Sequence, residues 1–249
     1  MPITAHLEEL RRRLVISAIA AGIGFGVSYF FAARIFEVLM APLLEALPPD
    51  GKLIFTGVTE AFFTYLKVAI LSGLFLASPL ILYQIWVFVA PGLYAREKRY
   101  VVPFVVFSTI FFMGGALFGY LVVFPYGFKF LLGFATEHIR PFPRIKEYFS
   151  LASKLLLAFG VVFELPLFVF FLAKIGLVTS RLLIKQFKFA VLIIFGISAM
   201  LTPPDVVTQF MMAGPILFLY GISILVAKFF GKEAKKDQDS EGDELGEDE

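Results

Sequence analysis

Six apolar stretches, residues 14–33, 68–95, 100–128, 155–173, 189–204 and 206–227, dominate this sequence of 249 residues. A hydrocarbon layer of about 30 Å is crossed by roughly 20 apolar residues in a helix. A water-soluble domain is nearer half apolar, whereas this chain is 59% hydrophobic. The sequence therefore predicts an all-α integral membrane protein with six transmembrane helices. The fifth run reaches only ~24 Å at 1.5 Å per residue. It joins the sixth through the tight turn "TPPD". This pair is expected to be short, under-spanning the membrane, thinning it or leaning on longer helices. One charge interrupts the six runs: Glu164, in the fourth.

Charge sets the expected orientation. With six passes both termini share a side, and that side collects 14 basic residues against seven on the other. The excess lies in short segments: Arg11, Arg12 and Arg13; Arg96, Lys98 and Arg99; Lys174, Arg181, Lys185 and Lys188; and lysines after the sixth run. The positive-inside rule places both termini in the cytoplasm. On the other side, residues 34–47 have helical apolar spacing before "PPDG" marks a turn, predicting an amphipathic cap. Residues 127–150 resemble it. The last residues, 231–249, are acidic and nearly free of apolar side chains, so a single membrane domain over 1–230 with a disordered tail is expected. Pro79, Pro91, Pro103, Pro125, Pro166 and Pro215 lie in the spans. Each removes a backbone donor and tends to kink its helix, so together they predict bowed helices forming a concave wall. No internal repeat suggests an inverted-repeat transporter. No cleavable leader is evident, which points to a bacterial or archaeal cytoplasmic membrane.

Catalytic signatures are missing. There is no P-loop, no G-x-S-x-G and no H-E-x-x-H. There are no cysteines, and the two histidines, His6 and His138, are expected on opposite faces, so no metal, cofactor or nucleophile–base pair is implied. Glu164 is the main candidate within the membrane, where an ionised group costs roughly 2.5–3.5 kcal/mol on insertion scales. It could be a neutral glutamate bonded to a neighbouring helix, a docking point for a partner helix, or a proton relay. A relay needs successive partners, and the nearest other acid along the spans is Asp205, so docking is favoured. At the N-terminus, "HLEELRRRL" lets Glu8 pair with Arg12 and Glu9 with Arg13 on a helix. Glu97, in "PGLYAREKRY", falls on the same face as Glu9. Two carboxylates across a groove could each receive a guanidinium, which suggests, weakly, a ligand with two arginines.

The stretches "HLEELRRRL", "ASPLILYQIWVFVAPGLYAREKRYVVP", "AFGVVFELP" and "LTPPDVVTQ" together closely resemble the TatC family, over about residues 3–230. The resemblance implies a receptor for twin-arginine signal peptides. It implies a core subunit of a translocase that exports folded proteins, driven by the proton-motive force. It implies partners: single-span TatA- and TatB-type subunits, cargo signal peptides, membrane lipid and further copies in a larger complex, with no nucleic acid and no cofactor. It assigns Glu9 and Glu97 to the signal-peptide site, with Arg11, Tyr94, Arg99 and Pro91 shaping it. It makes Glu164 an intramembrane polar contact, Met200 a partner-helix contact and Asp205 structural. The family's Pro-x-Glu-Ala-Phe cap stretch is Val58-Thr59-Glu60-Ala61-Phe62 here, keeping Glu60 and Phe62 but lacking the proline. The alternative is a secondary transporter with Glu164 as its proton site.

Overall fold

A computed structural model describes residues 3–48, 51–89, 101–136, 138 and 140–231. Among them are ten α-helices and no β-strand: α1 (Ile3–Phe30), α2 (Ala32–Ala46), α3 (Glu60–Val89), α4 (Val101–Phe118), α5 (Phe124–Leu132), α6 (Ile145–Phe163), α7 (Leu165–Lys174), α8 (Ser180–Lys185), α9 (Phe187–Leu201) and α10 (Val206–Phe230). A π-helical turn, Gly119–Val123, welds α4 to α5. Five helical units, the third made of α4 with α5 and the fourth of α6 with α7, are long and apolar enough to cross a membrane; α9 is a shorter apolar helix. These correspond to the six apolar runs of the sequence. The expectation that the last two would both be short is corrected. α10 runs 25 residues, ~37 Å, and the apolar run 206–227 within it is by itself long enough to cross the hydrocarbon layer. Only α9, with 15 residues, under-spans. Tail residues 232–249 lie outside the described residues.

Apolar side chains gain nothing by leaving lipid for one another, so close backbone approach and polar contacts must hold the passes together. α1 and α3 meet at Gly24 and Gly73, where a Cβ on either would collide with the other's backbone. The helices pass antiparallel, so Gln84 near the end of α3 reaches Arg13 near the start of α1.

At the opposite end the cap is α2, whose Phe36, Pro42 and Leu43 are buried. Pro42 has no N–H, so the Val38 carbonyl one turn back loses its helical donor. The Tyr120 hydroxyl, from the π-helical turn, donates to that carbonyl at 2.6 Å. Tyr148 of α6 donates to the next carbonyl, Leu39. The cap is thus gripped by two passes. A second tie is the bridge between Ile54 and Arg144, with Ile54 N–H donating to Pro143 (3.1 Å) and Ile145 N–H to Ile54 (2.9 Å). Glu60, first residue of α3, accepts from the Thr56, Gly57 and Lys146 N–H groups at 3.0, 3.2 and 3.1 Å, joining the turn before α3 to the start of α6. Phe62 is exposed, edge-on to Phe63. Asp205 caps α10, accepting from Thr208 N–H at 2.7 Å.

Tyr120→Phe should remove the donor to the Val38 carbonyl, a hydrogen bond at the exposed edge of the cap, and cost about 0.5–1.5 kcal/mol. Thermal unfolding in detergent should show a drop of about 2–4 °C per kcal/mol. In a Pro42→Ala background, where the new alanine can supply the N–H, the same change should cost little. Equal losses in both backgrounds would disprove the proline–tyrosine coupling.

Candidate functional site

Two places collect the residues singled out by sequence. The first is the end of the bundle where α1 begins. Its first turns carry the charged stretch before the apolar run, so the charges stand at the boundary. Glu8, Arg11 and Arg12 are exposed, while Glu9 and Arg13 are half-buried. Of the two expected helical pairs, Glu9 with Arg13 forms: Arg13 donates through Nη2 at 2.8 Å and Nε at 3.2 Å, both to Glu9 Oε1. Among the described residues the Glu8–Arg12 pair does not form. Arg13 Nη1 donates to Gln84 Oε1 at 2.9 Å, and Gln84 is buried on α3. Arg13 therefore locks Glu9 in place from behind. Glu9 Oε2 has no protein partner among the described residues. An open cavity of about 920 Å³ lies here, lined among others by Glu8, Glu9, Arg11, Arg12 and Gln84. His6 stacks on Phe88 with ring centroids 4.6 Å apart, a further tie between α1 and α3. Pro91, Tyr94, Glu97 and Arg99 lie outside the described residues.

The second place is a groove inside the membrane. Sequence treated 155–173 as one span with a charge in its middle. The structure breaks that span at Glu164, between α6 and α7. Pro166 is the cause, since it supplies no N–H to Val162. The chain turns there, with Glu164 N–H donating to Val161 (3.1 Å) and Phe168 N–H to Glu164 (2.8 Å). The break aims the carboxyl across the bundle. Ser108 Oγ of α4 donates to Glu164 Oε2 at 2.6 Å, and Trp86 Nε1 of α3 donates to Ser108 Oγ at 3.0 Å. Trp86 is only 5% exposed and packs against Phe104 and Phe171. Glu164 Oε1 and Ser78 Oγ are buried without partners among the described residues. Both residues line a groove of about 320 Å³, otherwise walled by apolar residues such as Leu74, Ile85, Phe112 and Val161. Such a groove can take apolar side chains and presents those two polar atoms, Glu164 Oε1 and Ser78 Oγ.

Met200 is 83% exposed near the end of α9, apart from both places. The sequence reading missed Gln84, Trp86, Ser108 and Ser78. A faint signal existed: Gln84 and Ser108 are polar residues inside otherwise apolar runs, the pattern that singled out Glu164.

The model of the family described as Sec-independent protein translocase protein (TatC) matches residues 5–215. A protein of that description from Desulforapulum autotrophicum is 55% identical over 240 residues, covering 96% of this chain and 88% of that one. One from Aquifex aeolicus is 42% identical over 240 residues, covering 96% and 99%. A crystal structure of the twin-arginine translocase receptor TatC superposes with a TM-score of 0.81 at 43% identity, over 89% of this chain and 97% of that one.

Trp86 is the single tryptophan of the chain, so its emission reports on the groove alone. Ser108→Ala should shift that emission by removing the indole's acceptor and should cost about 1–3 kcal/mol by leaving the indole N–H unpaired. Glu9→Ala should leave the emission unchanged. The same spectrum for Ser108→Ala as for the unaltered protein would show that the chain of hydrogen bonds does not form.

Proposed function

Because the chain belongs to the TatC family, the multi-pass membrane subunit of the Sec-independent twin-arginine translocase, we propose that it is the receptor for twin-arginine signal peptides. The observation that carries this is Glu9, half-buried beside an open cavity, with Arg13 fixing one carboxylate oxygen and the other left available. A signal-peptide guanidinium can take Oε2 with a charge-assisted hydrogen bond. Family resemblance supplies the second acceptor, Glu97, with Pro91, Tyr94 and Arg99 beside it and Arg11 on α1. The intramembrane groove at Glu164 then receives an apolar helix, either the inserted signal peptide or a TatA-type subunit. Met200, exposed on the short α9, is the contact for a TatB-type helix. Glu60, Phe62 and Asp205 hold the cap and turn.

The same reading places the protein in a bacterial cytoplasmic membrane, surrounded by lipid, with both termini in the cytoplasm. The basic residues concentrated on that side support it, and the similar proteins named above come from bacteria. The subunit associates with further copies and passes folded cargo under the proton-motive force. It performs no chemistry of its own, needs no cofactor and contacts no nucleic acid. Residues 1–230 form the membrane domain, and 231–249 a separate acidic tail. Family membership sets aside a secondary transporter.

Titrating the detergent-purified protein with a fluorescent signal peptide tests the reading. A charge-assisted hydrogen bond contributes about 1.5–3 kcal/mol, so Glu9→Ala and Glu97→Ala should each weaken an Arg-Arg peptide roughly 10- to 100-fold. A Lys-Lys peptide should bind poorly throughout. If all titrations coincide, Glu9 is only a helix salt-bridge partner and the receptor site lies elsewhere.

A further inference from the structure

The cap end carries a third recess, remote from Glu9 and outside the membrane groove. It is a cavity of about 680 Å³ between the start of α3 and the start of α6, lined by Thr56, Glu60, Phe63, Lys67, Arg144 and Lys146 among others. Its two carboxylates are already engaged. Glu60 accepts from three backbone N–H groups, and Glu147 pairs with Arg144 at 3.4 Å. Among the described residues, Lys67 and Lys146 have no carboxylate partner. With three bases against two acids, this lining is net cationic.

Depth says what can reach it. Lys67 stands immediately before residues 68–89, which contain no charge. That charge-free run continues to residue 95, more than the roughly 20 residues that cross the hydrocarbon layer, and Lys67 marks its cap-side end. Lys67 therefore sits at the level of lipid phosphates. Apolar side chains flank the recess: Phe63 lines it, and Phe55 and Val58 before α3, Phe62 in its first turn and Phe142, two residues before Arg144, are exposed nearby in sequence. Exposed aromatics at this level belong among headgroups and upper acyl chains. A soluble anion would use the lysines but not these aromatics.

We infer that this recess binds the phosphodiester headgroup of an anionic phospholipid from the leaflet at the cap end, with Lys67 and Lys146 on the phosphate and the flanking phenylalanines against the acyl chains. The bound lipid bridges α3 to α6, alongside Glu60. A zwitterionic headgroup, whose phosphate is already paired with its own choline, is the poorer ligand.

Native mass spectrometry of the full chain in detergent, titrated separately with phosphatidylglycerol, phosphatidylcholine and inorganic phosphate, tests this. A basic residue near a lipid surface contributes about 1 kcal/mol, so Lys67→Gln and Lys146→Gln should each weaken phosphatidylglycerol about five-fold, and the double variant more. Lys67→Arg should retain binding. Lys188→Gln, at the other end of the bundle, should not change it, and unchanged Trp86 emission should show that each variant is folded. The inference is overturned if the protein holds both lipids equally, or if a phosphatidylglycerol preference survives the double variant. It is also overturned if Lys188→Gln weakens binding as much, which reduces the effect to net charge. Displacement of phosphatidylglycerol by inorganic phosphate at equal concentration would make the recess a soluble-anion site instead.

Discussion

A backbone carbonyl without a donor is costly where no water can reach it, and in this bundle prolines create such carbonyls at chosen points. Pro42 does so in the cap, and Tyr120 answers from another pass. Pro166 does so inside the fourth pass, and the chain answers by turning at Glu164, which throws the carboxyl sideways toward Ser108 and Trp86. In both places a local backbone defect becomes a contact between distant segments. Lipid offers helices little reason to prefer one another's apolar faces, so these polar ties, with the Gly24–Gly73 approach, fix which passes are neighbours.

The same absence of preference explains what sequence could and could not show. The apolar helices, the cap over residues 34–47 and the isolation of Glu164 were all legible, because each depends on polarity against lipid. Partner choice was not. α1, α3 and α4 are apolar all round, so no periodic face marks the side that packs. Ser108 as the acceptor for Trp86, or Gln84 as the acceptor for Arg13, depends on residues 22 and 71 positions apart meeting across helices. The length of α10 was misjudged for a related reason. The turn before it signalled a tight connection to α9, yet a tight turn limits the length of neither neighbour, and the run 206–227 is by itself long enough to span.

The short α9 depends on its long neighbour. Gln209 of α10 donates its amide to the Phe195 carbonyl at 3.0 Å, and Thr202 returns its hydroxyl to Ser198 at the end of α9. α9 is thereby held against α10 near the cap end while Met200 stays on its outer side. An exposed, flexible thioether on a helix too short to span is an adaptable surface within a layer that must deform around it.

In the proposed receptor, Arg13 on Glu9 would also govern discrimination. The cytoplasm is crowded with lone lysines and arginines on unrelated chains. A bare carboxylate at the mouth of a cavity would collect them. With a resident guanidinium on one oxygen, the empty site shows little net negative charge, so a stray cation finds a weak attraction and a competitor already seated. Only a ligand that brings more than one matched contact gains enough to stay. On that reading the intramolecular pair would act as a threshold, trading affinity for a lower rate of false engagement.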